Sequence, residues 1–127
     1  MYVIDTHALV WYLTDDNRLG VKAREILTKI DNGESTGVIP SIVILEAMAI
    51  FEKRGLHNLF AEIYAEIKES SNYLIYPLSS EIIDEIINLP LELELHDRII
   101  LATAKYLGTP LITKDRALRK YYESIIW

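Results

Sequence analysis

Apolar and polar positions along this chain change between two periods, and the changes mark its elements. Tyr2 to Asp5 is a short strand-forming run, and Thr6 to Leu13 reads as a helix entered through Asp-Thr capping chemistry. Asp15-Asp16-Asn17 reads as a turn. Val21 to Ile30 carries apolar residues at helical spacing and ends near Asn32-Gly33, a C-cap pair. Gly37-Val38-Ile39 predicts a second strand, and Pro40-Ser41 opens an apolar helix that Gly55 closes. Leu59, Phe60, Ile63 and Ile67 form the stripe of the next helix. Tyr73 to Tyr76 predicts a third strand, stopped by Pro77. Ser79 caps a helix with the stripe Ile82, Ile83, Ile86 and Ile87, which stops before Pro90. His96 to Leu107 predicts another helix, ended by Gly108. Pro110 to Thr113 is a fourth strand, Arg116 to Tyr122 a short helix, and Ser124 to Trp127 an edge strand.

Short apolar strands alternating with helices predict an α/β protein: a central, mostly parallel sheet of four or five short strands, covered by helices on both faces. No repeat, low-complexity stretch or linker interrupts residues 1–127, so a single domain is expected. The longest mainly apolar segment, Ile39 to Phe51, is too short to span a bilayer and contains a proline and a glutamate. It reads as a buried helix.

Four carboxylates stand at the edge of, or inside, apolar runs. Asp5 ends Tyr2-Val3-Ile4, Glu46 is the only charge between Ile42 and Phe51, Asp97 precedes Ile99-Ile100-Leu101-Ala102, and Asp115 follows Leu111-Ile112-Thr113-Lys114. Desolvating a carboxylate costs several kcal/mol or shifts its pKa. Sites in parallel sheets form beyond the carboxyl ends of the strands. Asp5 and Asp115 follow predicted strands, and Asp97 opens a helix that must begin near the same rim. Glu46 lies one turn into the helix after the second strand. The topology permits all four to meet, although Asp5, Asp97 and Asp115 each also read as caps or turn residues. Glu46 has no such alternative.

Carboxylates within about 4–6 Å of one another repel and raise one another's pKa, a conflict that a divalent cation removes. Oxygen-only ligands favour Mg²⁺ or Mn²⁺ over zinc. With no cysteine in the chain, disulfides and thiolate metal sites are excluded. The implied chemistry is metal-assisted phosphodiester hydrolysis. The net charge of −6 predicts no general attraction to nucleic acid, so local cations must offset repulsion, and Arg116, Arg119 and Lys120 form the best cluster. Thr113 is a candidate support for a carboxylate or water. His7, His57 and His96 lack the spacing of a helical metal motif, and Trp11 and Trp127 read as core residues. The absence of cysteine and of a basic leader region fits a cytoplasmic protein. A phosphoryl-transfer domain with an aspartate after its first strand is a rival reading, but the Asp-x-Asp-x-Thr pattern is missing.

At these residues the chain resembles the PIN-domain family, and within it the small VapC-type toxin ribonucleases of toxin–antitoxin pairs. Val3-Ile4-Asp5-Thr6-His7-Ala8-Leu9-Val10-Trp11 resembles the family's first-acid motif, and Pro40-Ser41 through Leu45-Glu46-Ala47 its second-acid segment. His96-Asp97-Arg98-Ile99-Ile100-Leu101-Ala102-Thr103-Ala104 is similar to the third, and Leu111-Ile112-Thr113-Lys114-Asp115 to the fourth. Tyr121 to Trp127 matches the closing strand. The resemblance implies a three-layer α/β/α PIN-like fold, Mg²⁺- or Mn²⁺-dependent endoribonuclease activity on RNA, a homodimer, and inhibition by a cognate antitoxin protein. It implies Asp5 and Asp97 as principal metal ligands, Asp115 completing the shell, Glu46 binding or orienting metal or water, and Thr6 and Thr113 in support. Where many relatives carry Asp-Pro-x-Asp, this chain has Glu94-Leu95-His96-Asp97. The alternatives are a non-catalytic PIN-like binding module and a PIN nuclease of RNA processing.

Overall fold

Consecutive residues of the central strands are buried together, which requires a sheet covered on both faces. Val3 and Ile4, Val38 and Ile39, and Leu111 and Ile112 are all fully buried. The computed structural model describes residues 1–127 and shows why. Strands β1 (Tyr2–Ile4), β2 (Gly37–Pro40), β3 (Tyr73–Tyr76), β4 (Leu111–Ile112) and β5 (Ile125–Ile126) form one sheet in the order β3-β2-β1-β4-β5. Every neighbouring pair is parallel, with Val3 opposite both Val38 and Leu111. The expected mostly parallel sheet is thus parallel throughout, including its closing strand.

Six α-helices complete the three-layer α/β/α arrangement: α1 (Thr6–Leu13), α2 (Val21–Asp31), α3 (Ser41–Lys53), α4 (His57–Glu69), α5 (Ser80–Ile87) and α6 (Leu95–Leu107). Their ends follow local chemistry. The Asp5 side chain caps α1 by accepting from the Thr6 amide, and Ser79 caps α5 by accepting from the Ile82 amide. Gly108 ends α6 in the left-handed region at φ 61°, which a residue with a Cβ enters only at a cost.

Four expectations need correction. The stripe of α5 is half as wide as it reads: Ile82 and Ile86 are buried, but Ile83 and Ile87 are 46% and 72% exposed. Residues adjacent in a helix point about 100° apart, so four isoleucines in two adjacent pairs cannot all face one core. In α4, Leu59 is likewise exposed while Phe60 and Ile67 are buried. Helix α3 is not a buried helix either. Val43, Ile44, Ala47 and Phe51 enter the core, whereas Leu45 and Ala49 are exposed. The expected helix from Arg116 to Tyr122 is a 3-10 helix over Arg116–Lys120. No helix is long and apolar enough to cross a membrane.

Candidate active site

The parallel sheet sends the carboxyl ends of β1 and β4 to one rim, and the chain leaves each strand at an acid. The Asp5 amide still donates to the Ile112 carbonyl, at 3.0 Å, so this residue is the last rung of the ladder before α1 begins. The Thr113 amide donates to the Ile126 carbonyl at 3.1 Å, and Asp115 then caps the 3-10 helix by accepting from the Ala117 amide. Helix α6 starts over the same rim and presents Asp97 in its first turn. Helix α3 supplies Glu46.

These four carboxylates line one cavity of about 340 Å³, together with Thr6, His7, His96 and Lys114. Ala49 and Ile50 form its apolar wall. Two buried hydroxyls hold the acids in place. Thr113 donates to Asp5 Oδ2 at 2.6 Å, while the Thr6 amide donates to Asp5 Oδ1 at 2.6 Å. The Thr6 hydroxyl donates to Glu46 Oε1 at 2.7 Å, tying α1 to α3 across forty residues. Thr113 Oγ1 also accepts from the Asp115 amide at 3.2 Å. One threonine therefore positions two of the acids.

Cap and cavity are not competing readings of Asp5 and Asp115, because each does both. Asp97 caps nothing: Glu94 occupies the cap position of α6, without a side-chain hydrogen bond. The carboxylate of Asp97 lies 3.3 Å from His96 Nε2, and His96 Nδ1 lies 3.5 Å from Glu94. Glu94, His96 and Asp97 are the one trio of acid or imidazole groups whose ligand atoms all lie within 4.8 Å of one another. The four acids share a cavity without three of them drawing that close.

The electrostatics record crowding. Burial pushes the Asp5 carboxyl up despite its hydrogen bonds from Thr113 and Thr6, and Glu46 adds repulsion. Burial also raises Asp97; His96 pulls it back, while Asp5, Asp115 and Glu94 push it further up. His7 is lowered, chiefly by burial and next by the Lys114 ammonium. Four carboxylates lining one cavity, two of them, Asp5 and Asp97, held above the usual carboxylate pKa, form an all-oxygen acid set that suits a hard divalent cation.

His7 and Lys114 were not among the expected site residues. Their signal was position: each adjoins an acid–threonine pair, Asp5-Thr6 or Thr113-Asp115, at a strand end. Trp11 is buried as expected, but its indole also stands against the His7 ring at 5.3 Å.

A family model for the PIN domain matches residues 2–124. Among solved structures, the chain is similar to a toxin-antitoxin complex from Klebsiella pneumoniae, at 23% identity and a TM-score of 0.75, covering 100% of this chain and 97% of that one. It is also similar to VapBC2 from Rickettsia felis bound to a DNA fragment from its promoter, at 18% identity and a TM-score of 0.71, covering 99% and 96%. No curated protein matches by sequence. With four acids gathered at the carboxyl rim of a parallel sheet and a family match over nearly its whole length, the chain belongs to the PIN domain family.

Proposed function

We propose that this protein is a Mg²⁺- or Mn²⁺-dependent endoribonuclease and the toxin of a toxin–antitoxin pair. The observation that carries the reading is the single cavity lined by Asp5, Glu46, Asp97 and Asp115 in a PIN fold. The family is a nuclease superfamily, and the similar solved structures are toxin–antitoxin complexes. Asp5, Asp97 and Asp115 would hold the cation. When bound, the metal supplies a polarised phosphate and a more acidic water.

The chain's own residues do the positioning. Thr113 and the Thr6 amide fix both oxygens of Asp5, so that carboxylate meets a cation without first losing rotamer freedom. The Thr6 hydroxyl fixes one oxygen of Glu46 and leaves the other to accept a proton from, or orient, the attacking water. Ala49 and Ile50 keep one wall apolar, which limits bulk water at the reacting phosphate.

A non-catalytic binding module, in which the acids serve only as caps, is the weaker reading, since Asp97 and Glu46 cap no helix. A cognate antitoxin and a homodimer belong to the proposal, as does action in the cytoplasm, where cellular RNA is translated. An antitoxin arginine placed among the carboxylates would replace the metal's charge. The test is incubation of an RNA panel with Mg²⁺, Mn²⁺ or EDTA. Cleavage in either metal, lost in EDTA, is expected. No cleavage of any RNA in either metal contradicts the activity.

A further inference from the structure

A second concave surface lies beside the acid cavity and has no part in the chemistry above. This groove of about 520 Å³ runs between the first turn of α2, the 3-10 helix and β5, and Lys22, Arg116, Arg119 and Trp127 line it. All three cations are exposed. The ion pairs of the molecule involve Arg18, Arg24, His57 and His96, so none of the three is neutralised by a carboxylate. Lys120, the third member of the basic cluster expected from the sequence, turns instead over the ring of Tyr121.

Aromatic contacts join the groove to the cavity. Trp127 packs edge-on against Trp11, with ring centres 5.9 Å apart, and the Lys114 ammonium stands 5.1 Å from the centre of the Trp11 ring. Lys114 lines the acid cavity. Although it sits between Thr113 and Asp115, it pairs with none of the carboxylates, and the indole holds it by a cation–π contact. A chain of net charge −6 therefore keeps four unpaired cations on one path from the cavity to a neighbouring groove. Cations with no internal partner offer their charge to an external anion. A polyanionic strand that approaches four carboxylates needs that offset.

We propose that Lys114 and the groove of Lys22, Arg116 and Arg119 form the track that holds the phosphate backbone of a single-stranded RNA as it enters the acid cavity. This rests on the nuclease reading and states where such an enzyme grips its substrate beyond the scissile bond. The cations run from Lys114 in the cavity lining to Lys22, Arg116 and Arg119 in the groove, beyond the space of one phosphate, which favours a continuous strand over a lone anion. Lysine and arginine at phosphates position a strand without reading its bases. Lys114, nearest the carboxylates, acts on the phosphate beside the cleaved bond.

The test pairs two double variants that remove the same charge. Arg116→Gln/Arg119→Gln alters the track, and Lys29→Gln/Lys105→Gln alters exposed cations elsewhere. Binding of fluorescein-labelled single-stranded RNAs of several sequences is read by anisotropy over a salt series, in proteins that also carry Asp97→Asn to stop turnover. The track variant is expected to weaken binding for every sequence alike. It should also flatten the slope of log K against log salt by about 0.7 per cation removed, while the control pair leaves the slope intact. In the active protein the track variant should raise KM with kcat largely kept. Lys114→Gln should lower kcat/KM, and Lys114→Arg should restore most of it. Equal weakening by both pairs, or an unchanged slope in the track variant, overturns the track. A protein without substitutions that neither binds nor cleaves RNA overturns the nuclease reading itself, a result separable from failure of the groove.

Discussion

The Asp5 carboxylate accepts hydrogen bonds at both oxygens, from the Thr6 amide and the Thr113 hydroxyl, yet burial still lifts its pKa above the usual carboxylate value. A raised folded pKa means the folded state binds its proton more tightly than the unfolded chain does. Stability from this group is then fully present below the unfolded pKa of about 3.9 and is lost as pH rises through the folded value. Asp5→Asn, which keeps a good helix cap, removes that loss. Without metal, it should melt no lower than the unsubstituted protein at neutral pH and show a flatter pH dependence, measured by thermal melts across the acid range. Thr113→Val acts in the opposite sense. It keeps the shape of a fully buried side chain but removes the donor to Asp5 Oδ2. Urea unfolding at neutral pH should show a loss of about 1.5–3 kcal/mol, the usual worth of a hydrogen bond to a charged group, and the loss should shrink as Asp5 takes up a proton. An equal loss at every pH would show that the hydroxyl serves packing rather than the carboxylate.

At the scale of elements, strand ends were the most legible feature. The acids at positions 5 and 115 follow runs that alternate with helices, and this pattern alone predicts one shared rim for them, where both line the cavity. The helix faces were less legible. Leu45, Ile83 and Ile87 are apolar yet exposed, because only the packing of neighbouring helices decides which of two adjacent apolar residues enters the core. His7 and Lys114 are legible only by position, each beside an acid–threonine pair, because a solvated histidine or lysine and one that lines a cavity have the same local sequence. Long-range closures are silent for the same reason. Gly20 is one: a Cβ there would lie 2.4 Å from the Trp127 carbonyl oxygen and 2.7 Å from its carbon. That carbonyl accepts from the Ala23 amide, so the start of α2 and the end of β5 are joined backbone to backbone. Since backbone atoms cannot swing aside, Gly20→Ala should cost about 1–3 kcal/mol, as overpacking does, and displace Trp127 from Trp11. Chemical unfolding measures the first effect, and near-ultraviolet circular dichroism the second. An unaltered spectrum would mean that the two ends are not closely packed.

Over the whole molecule, charge is divided against its average. The chain carries 19 acidic and 13 basic residues, yet the cavity of the four acids adjoins a groove whose cations have no acidic partners. In the proposed function this division has a use, with carboxylates for a cation and cations for a phosphate backbone. A cation that binds only the folded state stabilises it by mass action, by about 1.4 kcal/mol for each tenfold rise in concentration above Kd. The melting temperature should therefore climb with Mg²⁺ or Mn²⁺, and Asp97→Asn should abolish the climb without unfolding the protein. A climb of equal size in the variant would place the cation elsewhere. The most direct measurement is cleavage of single-stranded RNA by the purified protein and by Asp97→Asn, each in Mn²⁺ and in EDTA. The proposal predicts cleavage by the unsubstituted protein in metal alone, and none by the folded variant. Undiminished cleavage by Asp97→Asn, or cleavage that survives EDTA, would contradict a metal-dependent site built on these four acids.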